Sequence, residues 1–321
     1  MEPMLLSPVG KDYLWGGTRL KSEYGKKIAL EPLAETWECS THPDGPSVIV
    51  NGQFKGKMLP DVLNDHPEYL GSKSSSNREL QILVKFIDAA KDLSVQVHPD
   101  DIYARANEKQ NGKTEMWYVL DAAPNARLVH GFEHTMTKEL LLNASQSGDL
   151  SKHLHYVPVH QGDSFYIPAG TIHAIGSGIV VAEIQESSNV TYRIYDYDRI
   201  GKDGKKRELH LMKALDVLDL SVSKNVRQKP RIIRYIPGSS SELICRCEYF
   251  EVERIFVQDY FTFSVERESF QVLLCLQGSG TIRLGNKKDS LSFYKGDCLF
   301  LPARLGACKI DGSTAMLKIR C

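Results

Sequence analysis

The sequence has no net charge: forty basic side chains cancel forty acidic ones over 321 residues. That balance removes the global field that would draw the chain to nucleic acid or an anionic membrane, so an anionic ligand must be held by locally placed charges. No apolar run approaches the length of a bilayer span. The opening "MEPMLLSPVGKDYLWGG" lacks the basic start and sustained apolar core of a secretory signal, and a cytoplasmic location is expected. Cysteine is sparse and odd in number, seven in all, which argues for reduced thiols rather than a disulfide framework. Cys245 and Cys247 form a C-x-C with no second pair nearby to complete a zinc site, and read as small residues on one face of a strand. Helical signals are also few, confined to residues 59–71, 99–112, 137–148 and 208–220.

What remains is mostly short runs rich in Val, Ile, Tyr and Phe, separated by Gly, Pro, Asn and Asp, the texture of a β-sandwich or barrel. With 42% hydrophobic residues the chain can bury large cores, and its length suggests two domains. A repeat supports that division. "GDSFYIPAGTIH" (162–173) and "GDCLFLPARLGA" (296–307) share Gly-Asp, an apolar strand and Pro-Ala at one spacing. The polar "SVSKNVRQKPRIIR" (221–234) reads as the connection between the two units.

In "DLSVQVHPDD" (92–101), alternation places Gln96 and His98 on one face of a strand and Val95 and Val97 on the other. Pro99 ends that strand and admits a helix capped by Asp100 or Asp101, with Gly112 as its stop. In "GKTEMWYVLDA" (112–122), Glu115, Trp117 and Val119 share a face, and an inward carboxylate beside aromatics is costly unless paired or metal-bound. The first repeat copy matches G-x5-P-x-G-x2-H, the second sequence motif of the cupin jelly rolls, which returns a His to a barrel mouth. Gln96, His98, Glu115 and His173 then offer an amide oxygen, two imidazoles and a carboxylate. That set suits Zn2+ and tolerates Fe2+, Mn2+ or Co2+. The histidines of "HLHYVPVH" (153–160) stand too close to Gly162 to be the first cupin motif, and read as a helix end and a solvated strand start.

"YLWGGTRL", "AETWECSTHP", "LSVQVHPDD", "GKTEMWYVL", "GDSFYIPAGTIHAIG" and "VAEIQESSNVTYRIYDYDR" together resemble the type I mannose-6-phosphate isomerases in their short bacterial form. The resemblance implies two cupin β-domains with helical insertions in the N-terminal half: a catalytic unit over 1–230 and a degenerate one over 231–321. It also implies one Zn2+ per chain on Gln96, His98, Glu115 and His173, with Arg193 in the active site and Lys113 lining the substrate pocket. Glu115 lies seventeen residues beyond His98, and Gln96 replaces the first His of the general cupin motif, as in the isomerase branch. Without the resemblance, Arg193 reads as a solvated cross-strand partner for a carboxylate. The alternative to the implied aldose-ketose isomerase is a metal-dependent cupin oxygenase or a non-catalytic sugar-binding cupin. The second copy has Ala307 where His173 stands, so the same metal site is not expected there. The expected partner is a small sugar phosphate, and neither the general base nor the phosphate-binding residues are marked by a motif.

Overall fold

The computed structural model describes the whole chain except residues 74–78, 202–203, 225 and 286–288. Three antiparallel sheets form its framework. A six-stranded sheet runs in the order Ser164–Ile167, Glu115–Ala122, Ile179–Glu186, Ile82–Ala89, Glu35–Cys39, Val9–Lys11. A five-stranded sheet runs Tyr192–Tyr195, Val95–Val97, His173–Ala174, Arg127–Phe132, Leu154–Pro158. The third, of ten strands, is built mostly from residues after 231, and Met4–Ser7 and Val48–Ile49 extend its edge beyond Cys298–Leu301. Among the described residues no helix is long and apolar enough to cross a membrane.

The central strands of the six-stranded sheet are buried on both faces, which is why they read as nearly unbroken apolar runs. Met116, Tyr118, Leu120, Val84, Phe86, Ala182 and Ile184 face a core that also contains Val252, Val272, Phe300 and Leu317, so this face packs against the second unit. Trp117, Val119, Ile87, Ala89, Ile179 and Val181 face the interior of the first barrel. The alternation expected for Glu115, Trp117 and Val119 is therefore present. Each fully buried Leu, Ile, Val or Phe contributes about 1.5–3 kcal/mol, so these two layers hold the sheet rigidly in place. On the barrel face the apolar pattern breaks at one end, where Glu115, Glu183 and Lys85 stand in adjacent strands, with Lys85 directly opposite Glu183 and Glu183 opposite Trp117.

The sequence repeat is a structural repeat. In the first unit Gly162 N–H donates to Val119 O and Val119 N–H to Asp163 O; in the second, Gly296 N–H donates to Cys275 O and Cys275 N–H to Asp297 O. Gly162 and Gly296 have φ of +90° and +93°, and Gly170 and Arg304 have +86° and +65°, so both copies turn through the left-handed region at matching points. Ile167 pairs with Glu115 as Leu301 pairs with Gln271, and His173 pairs with Gln96 as Ala307 pairs with Ser264. The second unit thus has Ser264, Gln271 and Ala307 where the first has Gln96, Glu115 and His173.

Two local readings need correction. The helix after Pro99 is Asp101–Asn107, capped by the Asp100 carboxylate accepting from Tyr103 N–H at 2.8 Å, and it ends well before Gly112. Gly112 instead donates its N–H to the Asp101 side chain and lies so close that a Cβ there would meet Asp101 N at 2.5 Å. The segment 221–234, of which residue 225 lies outside the described residues, is not all linker. Val222 and Arg227 bridge to Phe132 and Phe165 of the first unit, and Arg231–Ile236 is an edge strand of the ten-stranded sheet.

Candidate active site

Two sheets meet at the barrel mouth and bring the predicted metal ligands together. Gln96 and His173 are directly paired in the five-stranded sheet, and Glu115 opens its strand in the six-stranded one. His98 follows the end of the Val95–Val97 strand. His98 Nε2, His173 Nε2 and a Glu115 oxygen all lie within 4.8 Å of one another, and all three residues are buried. The individual separations are 3.1 Å between the two Nε2 atoms, 3.3 Å from His173 to Glu115 Oε1 and 3.6 Å from His98 to Oε2. Ligands at about 2.0–2.2 Å from one tetrahedral ion stand roughly 3.3 Å apart, so the spacing fits a single metal.

The protonation chemistry fits as well. His98 Nδ1 contacts Val190 O at 2.8 Å and His173 Nδ1 contacts Thr171 O at 2.9 Å. Each carbonyl requires the proton on Nδ1, which leaves both Nε2 atoms with a lone pair, that of His98 standing 3.0 Å from Lys113 Nζ. Burial drives both imidazoles neutral, His173 to about 3 and His98 well below its ordinary value. Both Glu115 oxygens are buried without a hydrogen bond, although Lys113 Nζ stands 3.0 Å from Oε2 as an ion-pair partner. Lys113 meets Oε2 alone, so the buried Oε1 is left for a second cation. Burial foremost, then the Glu183 charge, pushes Glu115 up to about 7 in competition with Lys113. Gln96 places its amide nitrogen 3.4 Å from His173 Nε2, and a half-turn of the amide brings its oxygen to that point.

A cavity of about 260 Å3 opens beside this cluster, lined by Gln96, Lys113 and Trp117 together with Arg193, Thr191 and Arg207. Lys113 is buried and Arg193 half-buried, so both predicted catalytic residues reach it. Arg193 spends Nη1 on Glu208 O at 2.9 Å, and its buried Nε has no acceptor.

The pocket also holds residues that strand patterning does not single out. Lys85 Nζ lies 3.0 Å from Glu183 Oε1 and 3.8 Å from Glu35 Oε2. Trp117 Nε1–H donates to Glu183 Oε2 and Trp37 Nε1–H to Glu35 Oε2, both at 2.9 Å. Burial alone would raise the Glu183 carboxyl, but Lys85 and Lys113 outweigh it and hold the group at about 2. Trp117 also sets its ring edge-on to His173 at 5.4 Å, tying the Glu183 network to the His98, Glu115 and His173 cluster. A lysine inside a strand buried on both faces, Lys85 in "QILVKFIDA", was the available signal. By contrast, His153 and His134 pair with each other at 2.9 Å away from the cavity.

Comparison with known proteins places these features. Residues 4–124 match the family model "Phosphomannose isomerase type I, catalytic domain", and residues 240–320 match "Mannose-6-phosphate isomerase, cupin domain". His173, Glu183 and Arg193 fall between the two matched spans. Mannose-6-phosphate isomerase of Streptococcus mutans is 36% identical over 316 residues, covering 98% of this chain and 97% of that protein. Mannose-6-phosphate isomerase ManA of Bacillus subtilis is 36% identical over 313 residues, with coverage of 97% and 96%. The crystal structure of the mannose 6-phosphate isomerase from Bacillus subtilis superposes with a TM-score of 0.93 at 33% identity, covering 99% of each chain. Likeness that runs the full length of both partners, in sequence and in fold, leaves no part of the barrel pair unaccounted for, and the chain belongs to the type I phosphomannose isomerase family.

Proposed function

We propose that the chain interconverts mannose 6-phosphate and fructose 6-phosphate through an enediol, using one Zn2+ held by Gln96, His98, Glu115 and His173. The observation that carries this reading is the convergence of two neutral imidazole Nε2 atoms and a Glu115 oxygen, all buried and within 4.8 Å of one another. When bound, a divalent cation supplies Lewis-acid polarisation of the sugar oxygens with no change of redox state. The two-nitrogen, two-oxygen donor set suits zinc.

The rest of the reaction is assigned to this chain's own side chains. A proton must leave C2 of the open-chain sugar and return at C1. Glu183 and Glu35 are the carboxylates lining the cavity, and Glu183 is the one tied through Trp117 to the cluster, so it is given the proton transfer. Lys85 keeps it ionised and ready to accept. A carboxylate held at about 2 is a weak base, so base catalysis at about 10²–10⁴-fold is not sufficient, and polarisation and alignment must lower the remaining barrier. Arg193, whose Nε lacks an acceptor, donates to the oxygen that becomes negative in the enediolate. Lys113 binds sugar oxygens beside Glu115. Chemistry is assigned to the unit over 1–230, and a packing role to 231–321, where Ala307 and Gln271 replace two ligands. The neutral surface charge and the reduced cysteines accord with a cytoplasmic enzyme.

A panel of aldose phosphates tests this, with product followed by coupled detection of fructose 6-phosphate. Mannose 6-phosphate is expected to give the highest kcat/KM and the purified protein to contain zinc. Iron content with oxygen consumption, or no turnover of any sugar phosphate, would sink the proposal in favour of an oxygenase or a binding module.

A further inference from the structure

The charges around the cavity do not balance evenly. Four cations line it, Lys85, Lys113, Arg193 and Arg207, against the two carboxylates Glu35 and Glu183. Lys85 is neutralised by Glu183 with Glu35 behind it, and Lys113 by Glu115. Elsewhere on the lining two guanidiniums converge on one acid, Asp196. Arg207 donates Nε–H to Asp196 Oδ2 at 2.8 Å and its Nη2 to Oδ1, and Arg199 shares that Oδ1. Arg193 lines the same cavity as Arg207, and after burial, repulsion from Arg207 is the largest influence on its guanidinium. Asp196 is buried and sits out of the cavity lining, so the surplus of positive charge faces inward through Arg193 and Arg207.

We propose that Arg207, oriented by Asp196, anchors the phosphate of the substrate, and that this arginine sets the preference for a phosphorylated over a free sugar. The proposal rests on the isomerase reading of the same cavity. Two of the Arg207 nitrogens are fixed on Asp196, and Nη1 takes part in neither bond, so the planar fork is already oriented when the ligand arrives. Arg199 keeps Asp196 in place from the far side, anchored by its own Nη1 on Asp92 O at 2.5 Å. The sugar then shares the cavity with this arginine, its phosphate on Arg207 and its reacting carbons toward the His98, Glu115 and His173 cluster. Sequence reading passed over Arg207 because "KDGKKRELH" is a run of basic residues with no phosphate-binding pattern.

The test compares wild type with Arg207→Ala, using kinetics with mannose 6-phosphate and inhibition by inorganic phosphate. A charged anchor lost from a ground-state contact is expected to raise KM by about ten- to a hundredfold and weaken phosphate inhibition similarly, with kcat held within about threefold. Unchanged KM and phosphate inhibition overturn the assignment, as does a loss confined to kcat, which would mean that Arg207 serves the chemical step through Arg193. Arg199 remains on Asp196 in the variant, and Arg207→Gln repeats the test should the alanine form not fold. If wild type turns over no sugar phosphate, the isomerase reading fails separately. Calorimetric titration of inorganic phosphate then decides the anchor: binding by wild type that is lost in Arg207→Ala supports it, and equal or absent binding in both overturns it.

Discussion

Arg193→Ala is expected to lower kcat for mannose 6-phosphate by about 10²–10³-fold while leaving the metal in place, since loss of one preorganised donor to a developing oxyanion has that order of effect. Arg193 stands opposite Gln96 in the five-stranded sheet, so the strand that presents a proposed metal ligand also fixes the position of the arginine backbone. Its Nη1 is tied to Glu208 O, which limits the swing of the side chain and leaves buried Nε as the donor awaiting an acceptor. None of its hydrogen bonds reaches His98, Glu115 or His173, and alanine therefore subtracts a charge from the cavity without touching the cluster. Metal analysis of the variant beside its kinetics separates the two roles. Turnover within a few-fold of wild type, or loss of metal along with turnover, would show that Arg193 is not the oxyanion donor.

Glu183→Gln should be more damaging still, through two channels that different measurements resolve. Turnover is expected to fall by about 10²–10⁴-fold, the range for a lost general base. Stability should also fall, by about 3 kcal/mol, because Lys85 is buried and would keep only Glu35, at 3.8 Å. In wild type the ionised Glu183 contributes stability that is fully present above the ordinary carboxylate value of 4.5 and is lost as pH falls toward about 2. The amide has no such titration, so the urea midpoint of the variant should show a shallower acid dependence than that of wild type. A variant as stable and as active as wild type would contradict both the ion pair and the base.

The contrast between these residues explains how far the sequence could be read. Gln96, His98, Glu115 and His173 were legible because a period of two sorts polar residues onto one strand face and the Pro-Gly turn returns a His to a fixed point. The repeat was legible for the same reason: turns at Gly162 and Gly296 impose identical backbone bonds whatever the side chains do. The Lys85, Glu183 and Glu35 network was not, because its members are contributed by three strands and become neighbours only through register, Lys85 opposite Glu183 and Glu35 opposite Ile87. Arg207 was invisible for a related reason, since its role depends on Asp196 and Arg199 meeting it in a loop. The edge strand Arg231–Ile236 was misread as linker because both its faces are exposed and its sequence carries no burial pattern. That exposure also hid how closely the units interlock, with Met4–Ser7 paired to Cys298–Leu301.

The most direct test of the account is a zinc titration of chelator-stripped protein, followed by conversion of mannose 6-phosphate to fructose 6-phosphate. A buried site of two neutral imidazoles, one carboxylate without a hydrogen bond and one amide predicts negligible activity in the stripped protein and a linear rise that levels off at one zinc per chain. Undiminished turnover after complete removal of metal, or a plateau reached only with more than one zinc per chain, would contradict it.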